Sequence, residues 1–108
     1  METMPYLSIS SSANLVVLED GAVRSYPLNE NQIWKIGRKN PESENDIELE
    51  SKIVSRKHGQ IQSVDGEWYY IDNGSLNGTY YNGSKIKAND HGAVSYTHLR
   101  AHETLSDL

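Results

Sequence analysis

Asp65-Gly66 and Asn82-Gly83, with Glu19-Asp20-Gly21 before them, fall where short runs of β-forming residues break off. Asp-Gly and Asn-Gly readily adopt the positive φ angles of a two-residue hairpin turn, so each one predicts an antiparallel pair of strands around it. Asn14 to Leu18 and Ala22 to Leu28 flank the first turn, and His58 to Val64 and Glu67 to Asp72 the second. Thr79 to Tyr81 and Lys85 to Ile86 flank the third. Gln32 to Ile36 and Asp46 to Leu49 read as two further strands, separated by a polar loop, Lys39 to Asn45, that contains Pro41. Many short strands at close spacing, with no convincing helical period among them, predict an all-β chain folded as an antiparallel β-sandwich. Seven Tyr, two Trp and no Phe suit half-buried strand positions better than the interior of a helical bundle.

At 108 residues the chain has room for one core. Residues 1–12 read as an N-terminal tail, with Tyr6 to Ile9 packing late, residues 13–88 as the sandwich, and residues 89–108 as a doubtful segment. A net charge of −5 argues against a nucleic-acid or anionic-membrane surface, since both need many cations acting together. Binding a single phosphate needs only a local cluster, which Arg38, Lys39, Lys52, Arg56 and Lys57 could supply. The absence of cysteine fits a reducing compartment, with the cytoplasm as the default. Neither a leader pattern nor a run of about 20 apolar residues occurs, so secretion or membrane spanning is not expected.

Three motifs in fixed order are expected to carry the function: Gly37-Arg38, Ser55-Arg56-Lys57-His58, and Gly74-Ser75-Leu76-Asn77-Gly78-Thr79. Each sits where a strand should pass into a loop. Taken singly, each also reads as ordinary structure: a strand terminus, an exposed turn, a pair of tight turns. Taken together they offer what a phosphoryl group needs, namely a guanidinium fork, a hydroxyl, free backbone N–H groups and a side-chain amide. In this reading Gly37 lets the backbone bend, Arg38 makes paired charge-assisted bonds, and Ser55 donates its hydroxyl. One of Arg56 and Lys57 adds charge, His58 braces the loops, and Asn77 clamps the main chain of a bound peptide.

The order Gly37-Arg38, Ser55-x-x-His58, Asn77-Gly78, Thr79 and Asn82-Gly83 resembles the signature of the forkhead-associated (FHA) domain, a β-sandwich that recognises phosphothreonine peptides. The resemblance covers about Asn14 to Ile86. It implies that Arg38 and Ser55 contact the phosphate with Arg56 or Lys57 assisting, and that Asn77 holds the peptide. It also implies that the Ser75-Leu76 backbone lies beside the phosphothreonine, while Gly37, His58 and Gly78 support the loops. The partner it implies is a phosphothreonine-containing protein or peptide, with no cofactor and no metal. Ile53, two residues before Ser55, would probe the flanking residues of that partner. A related module that has stopped reading phosphate and serves in structural assembly is the alternative.

The family normally closes with two further strands around a Gly-Asp turn. Here Asn89-Asp90-His91-Gly92 leads into Ala93 to Arg100, a stretch that resembles translated adapter sequence, so the closing strands are expected to be missing or replaced. Val94 to Leu108 shows a marginal helical stripe of Leu99, His102 and Leu105. His98 and His102 on such a helix would make a weak metal site, lacking a Glu after the first His and any third ligand. Catalysis is not expected either: Ser75 is not central in a nucleophile elbow, and Ser55 and His58 are spaced for shared bracing.

Overall fold

The computed structural model describes residues 5–86 and 96–106, which contain eleven strands and no helix. In chain order they are β1 (Tyr6–Ile9), β2 (Asn14–Glu19), β3 (Ala22–Pro27), β4 (Trp34–Arg38), β5 (Ile47–Leu49), β6 (Gly59–Val64), β7 (Glu67–Asp72), β8 (Tyr80–Tyr81), β9 (Ser84–Lys85), β10 (Thr97–Leu99) and β11 (Thr104–Ser106). They form two sheets, ordered β3-β2-β1-β11-β8-β9 and β10-β7-β6-β4-β5. All pairs are antiparallel except β4 and β5, which run parallel from Ile36↔Ile47 to Arg38↔Leu49. The sandwich is therefore mixed in one sheet. A loop of eight residues joins β4 to β5, and its length lets the chain double back before pairing.

The hairpin turns follow from their sequence. Asp20 and Gly21, Asp65 and Gly66, and Asn82 and Gly83 all have positive φ at both central positions, between 48° and 86°. That twist matches the strands on either side. The fourth strand begins two residues later than expected, because the Gln32 N–H closes a turn onto the Asn29 carbonyl at 3.1 Å.

Alternation along the strands sorts side chains between core and solvent. Leu7, Ile9, Leu15, Val17 and Leu105 come from the first sheet. They meet Ile36, Ile47, Leu49, Ile61, Trp68, Tyr70 and Leu99 from the second. Burying each such side chain is worth about 1.5–3 kcal/mol. Glu19 also lies on the core face, at the end of β2. Its carboxylate accepts the Glu50 and Ser51 N–H groups at 3.0–3.1 Å and pairs with Arg24 at 3.2 Å. This strap ties the first sheet to the loop that follows β5.

Three sequence expectations change here. Residues 6–9 of the expected tail form β1, with Leu7 fully buried and paired to both β2 and β11. Four residues give too short an alternation to be read against the serines that follow. The helical stripe near the C-terminus is absent: Leu99 and Leu105 lie on separate strands, and the turn between them puts His102 at φ 68°. Leu99 is 6% exposed and Leu105 2% exposed, so this segment supplies core and closes both sheets. Asn82 and Tyr81 fasten it, through the Thr104 N–H and the Glu103 carboxylate. The expected Asn89-to-Gly92 turn lies outside the described residues.

Candidate functional site

Three loops meet at one end of the sandwich: residues 39–46 after β4, 50–58 after β5, and 73–79 after β7. Arg38, the last residue of β4, donates its backbone N–H to the Ser55 carbonyl at 3.0 Å. Its guanidinium Nη1 donates to the Lys52 carbonyl at 3.0 Å. Among the described residues the guanidinium has no carboxylate partner, so its remaining donors are uncommitted. Ser55 Oγ accepts the Leu76 N–H at 2.9 Å, which positions the hydroxyl but leaves its own proton available to an incoming acceptor. Asn77 Nδ2 donates to the Ile53 carbonyl at 2.8 Å and closes the rim between the second and third loops.

Beneath this rim lies a buried polar relay whose direction can be worked out. His58 is fully buried, and its Nδ1 accepts the Ser55 N–H at 3.0 Å, so that nitrogen carries no proton. The proton is therefore on Nε2, which faces Thr79 Oγ1 at 2.9 Å and the Gly78 carbonyl at 3.1 Å. Thr79 Oγ1 also meets Tyr70 OH at 3.0 Å and donates its one proton to Asp72 Oδ2 at 3.0 Å. Asp72 accepts the Ser75 hydroxyl and the Ser75 N–H as well, each at 2.7 Å. Burial holds the His58 imidazole below the ordinary histidine range, with the Asp72 carboxylate and the Gly78 carbonyl acting against it. Burial likewise pushes the Tyr70 phenol far above its usual value.

The relay ties the loops together. A general base for Ser55 would have to reach Oγ, whereas His58 spends its only free lone pair on the Ser55 backbone. Asp72, Tyr70 and Thr79 were not singled out from the sequence as members of this relay. The one available signal was Asp72 ending a strand three residues before Ser75, the spacing of an Asx-type cap on the following turn.

Several expected roles shift. Gly37 has no positive φ. It is needed because a Cβ there would lie 2.0 Å from the Arg56 carbonyl oxygen, so crowding and not bending selects glycine. The backbone N–H groups expected to be free are taken: that of Ser75 by Asp72, and that of Leu76 by Ser55. The Leu76 side chain projects into solvent, 88% exposed. Gly78 has φ 82°, and its carbonyl meets His58 as a loop support should. Gly59 adds a support that sequence reading missed, since a Cβ there would lie 2.2 Å from Tyr70 OH. Arg56 and Lys57 are exposed and line a neighbouring cleft that neither Arg38 nor Ser55 lines. His98 stacks on Tyr69 and pairs with Glu67, well separated in sequence from this rim.

Arg38 at the end of β4, Ser55 and His58 on the loop after β5, and Asn77 on the loop after β7 thus meet at one end of a two-sheet sandwich, and the model of the FHA domain family matches residues 34–99. The chain belongs to the FHA domain family. This FHA domain is 41% identical over 73 residues to the glycogen accumulation regulator GarA of Mycolicibacterium smegmatis, covering 68% of this chain and 44% of that protein. It is 49% identical over 39 residues to the oxoglutarate dehydrogenase inhibitor of Corynebacterium diphtheriae, covering 36% of this chain and 27% of that protein. The chain therefore spans less than half the length of these curated relatives. Among solved structures it resembles Mycobacterium tuberculosis EmbR in complex with a low-affinity phosphopeptide. The TM-score is 0.61 and the identity 25%, covering 95% of this chain and 22% of that one.

Proposed function

We propose that this FHA domain reads a phosphothreonine in a partner protein and so makes a protein–protein contact depend on phosphorylation. The observation that carries the reading is the Arg38–Ser55 pair. A backbone bond of 3.0 Å joins the two residues, one bringing an unneutralised guanidinium and the other a hydroxyl with a spare proton. Both donate, and a phosphate only accepts. Asn77 then holds the peptide main chain through the amide oxygen that its bond to Ile53 leaves unused. Leu76 and Ile53, flanking Asn77 and Ser55 on the rim, touch the residues beside the phosphothreonine. The EmbR complex, whose fold this chain shares, supports a phosphopeptide as the ligand. The role is binding without catalysis, in the cytoplasm, with neither nucleic acid nor membrane as partner.

Arg38→Ala tests it. Charge-assisted hydrogen bonds are worth about 1.5–3 kcal/mol each, so affinity for a library-selected phosphothreonine peptide should fall at least tenfold by isothermal titration. The variant should melt like the parent, because Arg38 contributes one side-chain bond to the fold. Unchanged affinity in a folded variant would refute the site. A parent domain that captures partners equally with and without phosphate would instead be a structural assembly module.

A further inference from the structure

We propose that this domain carries a second anion subsite, separate from the Arg38–Ser55 pair, which takes a second acidic side chain of the same bound polypeptide. The proposal rests on the phosphothreonine reading, since that contact delivers the polypeptide.

The separation follows from β4. Successive residues of a strand face opposite sides of the sheet, so Gly37 and Arg38 point in opposite directions. A Cβ on Gly37 would lie 2.0 Å from the Arg56 carbonyl oxygen and 2.6 Å from Asn45 Nδ2. Asn45 and Arg56 therefore cover the face of β4 turned away from the Arg38 side chain. On that face lies a cleft of about 430 Å³, with Lys35 and Gln60 of β4 and β6 among its lining residues. Its walls are the 40–45 loop on one side and Arg56, Lys57 and Asn73 on the other.

The cleft is a built feature. Asn40 donates to the Arg38 carbonyl at 2.9 Å and accepts the Glu42 N–H at 3.1 Å. Asn45 donates to Ser43 Oγ at 3.1 Å and to the Arg56 carbonyl at 2.8 Å. Lys35, Arg56 and Lys57 bring three cations to it, and among the described residues none of them pairs with a carboxylate. Unneutralised cations around a concave surface concentrate anions there.

Glu42 and Glu44 also line the cleft. They repel a free anion, so the subsite works when a tethered group is already held nearby, where its effective concentration is high. The shared chemistry of the occupant is a carboxylate or a phosphate on a side chain. Arg56 lines the cleft and directly follows Ser55 in the chain, which keeps the subsite next to the rim.

The test is isothermal titration of the whole chain against a phosphothreonine peptide with otherwise uncharged neighbours. Companion peptides carry a single Glu, or a single phosphoserine, moved one position at a time along either flank. One position or a short run of positions is expected to gain about twofold to fivefold, the worth of a partly screened ion pair. Lys35→Gln should remove part of that gain and leave the affinity for the peptide with phosphothreonine alone unchanged. Glu42→Gln should enlarge it. A gain with Glu, with phosphoserine or with both supports the subsite and names its ligand group. If the basal peptide binds but no position gains, or if the gain is indifferent to both substitutions, the subsite is overturned and the phosphothreonine reading stands. If the basal peptide does not bind at all, both fall.

Discussion

Leu105→Ala should damage this domain severely. Leu105 lies on β11, is 2% exposed, and sits in the one strand that joins β1 to β8. Truncating a buried leucine to alanine costs about 2–5 kcal/mol, depending on how far the cavity collapses. Two rigid strands flank this site, so collapse is limited and the upper half of that range applies. For a domain of this size about 1 kcal/mol lowers the melting temperature by roughly 4–8 °C, which puts the expected drop above about 10 °C. Removing Tyr96 to Leu108 outright takes away Leu99 as well, together with the Glu103 bonds to Tyr81 and Asn82. With about 3–6 kcal/mol of apolar burial gone from a net stability of about 5–15 kcal/mol, the shortened chain should melt lower still than Leu105→Ala. Circular dichroism melts of the parent, Leu105→Ala and the shortened chain decide the matter. If Leu105→Ala melts within about 3 °C of the parent, β11 contributes little to the stability of the domain.

Gly37→Ala is expected to destabilise by about 1–3 kcal/mol, because the new methyl meets a backbone carbonyl that cannot swing away; an unchanged thermal melt would show that the loop moves freely. Stability should decline as pH falls through about 6.5, the unfolded histidine value, towards the lower folded value of His58. The contribution is complete above that range, since the unfolded chain then no longer takes up the extra proton; equal urea midpoints at about pH 7.5 and 5.5 would contradict it. Phosphothreonine should be preferred over phosphoserine in matched peptides, by about fourfold if burial of one methyl is the whole cause; equal affinities by titration would show that the threonine methyl is not buried on binding.

What the sequence revealed and what it hid divide along physical lines. Asp65-Gly66 and Asn82-Gly83 announced their hairpins because a positive φ is a local demand that few residues meet. Arg38, Ser55 and Asn77 were legible because their chemistry is unusual at strand ends. β1, β10 and β11 were not, since strands of three or four residues carry one or two buried positions and no period to detect. The partners of β10 and β11 are also distant in sequence. Gly37 was noticed for the wrong reason, because a crossing carbonyl leaves no mark on the residues around it. That Arg56 and Lys57 line the cleft beside Lys35 depends on the path of the loop after β5, which their place after Ser55 in the sequence does not specify.

The pairing of Leu7 with Leu105 joins residues nearly the whole chain apart, and β8 and β9 reach the rest of their sheet only through β11. Contacts of that span are slow to form, because a long loop must close before any of them contributes. During synthesis the first sheet stays open until Thr104 to Ser106 have left the ribosome, with β1 presenting an unpaired edge meanwhile. That edge is where a chaperone or a misfolded neighbour would take hold.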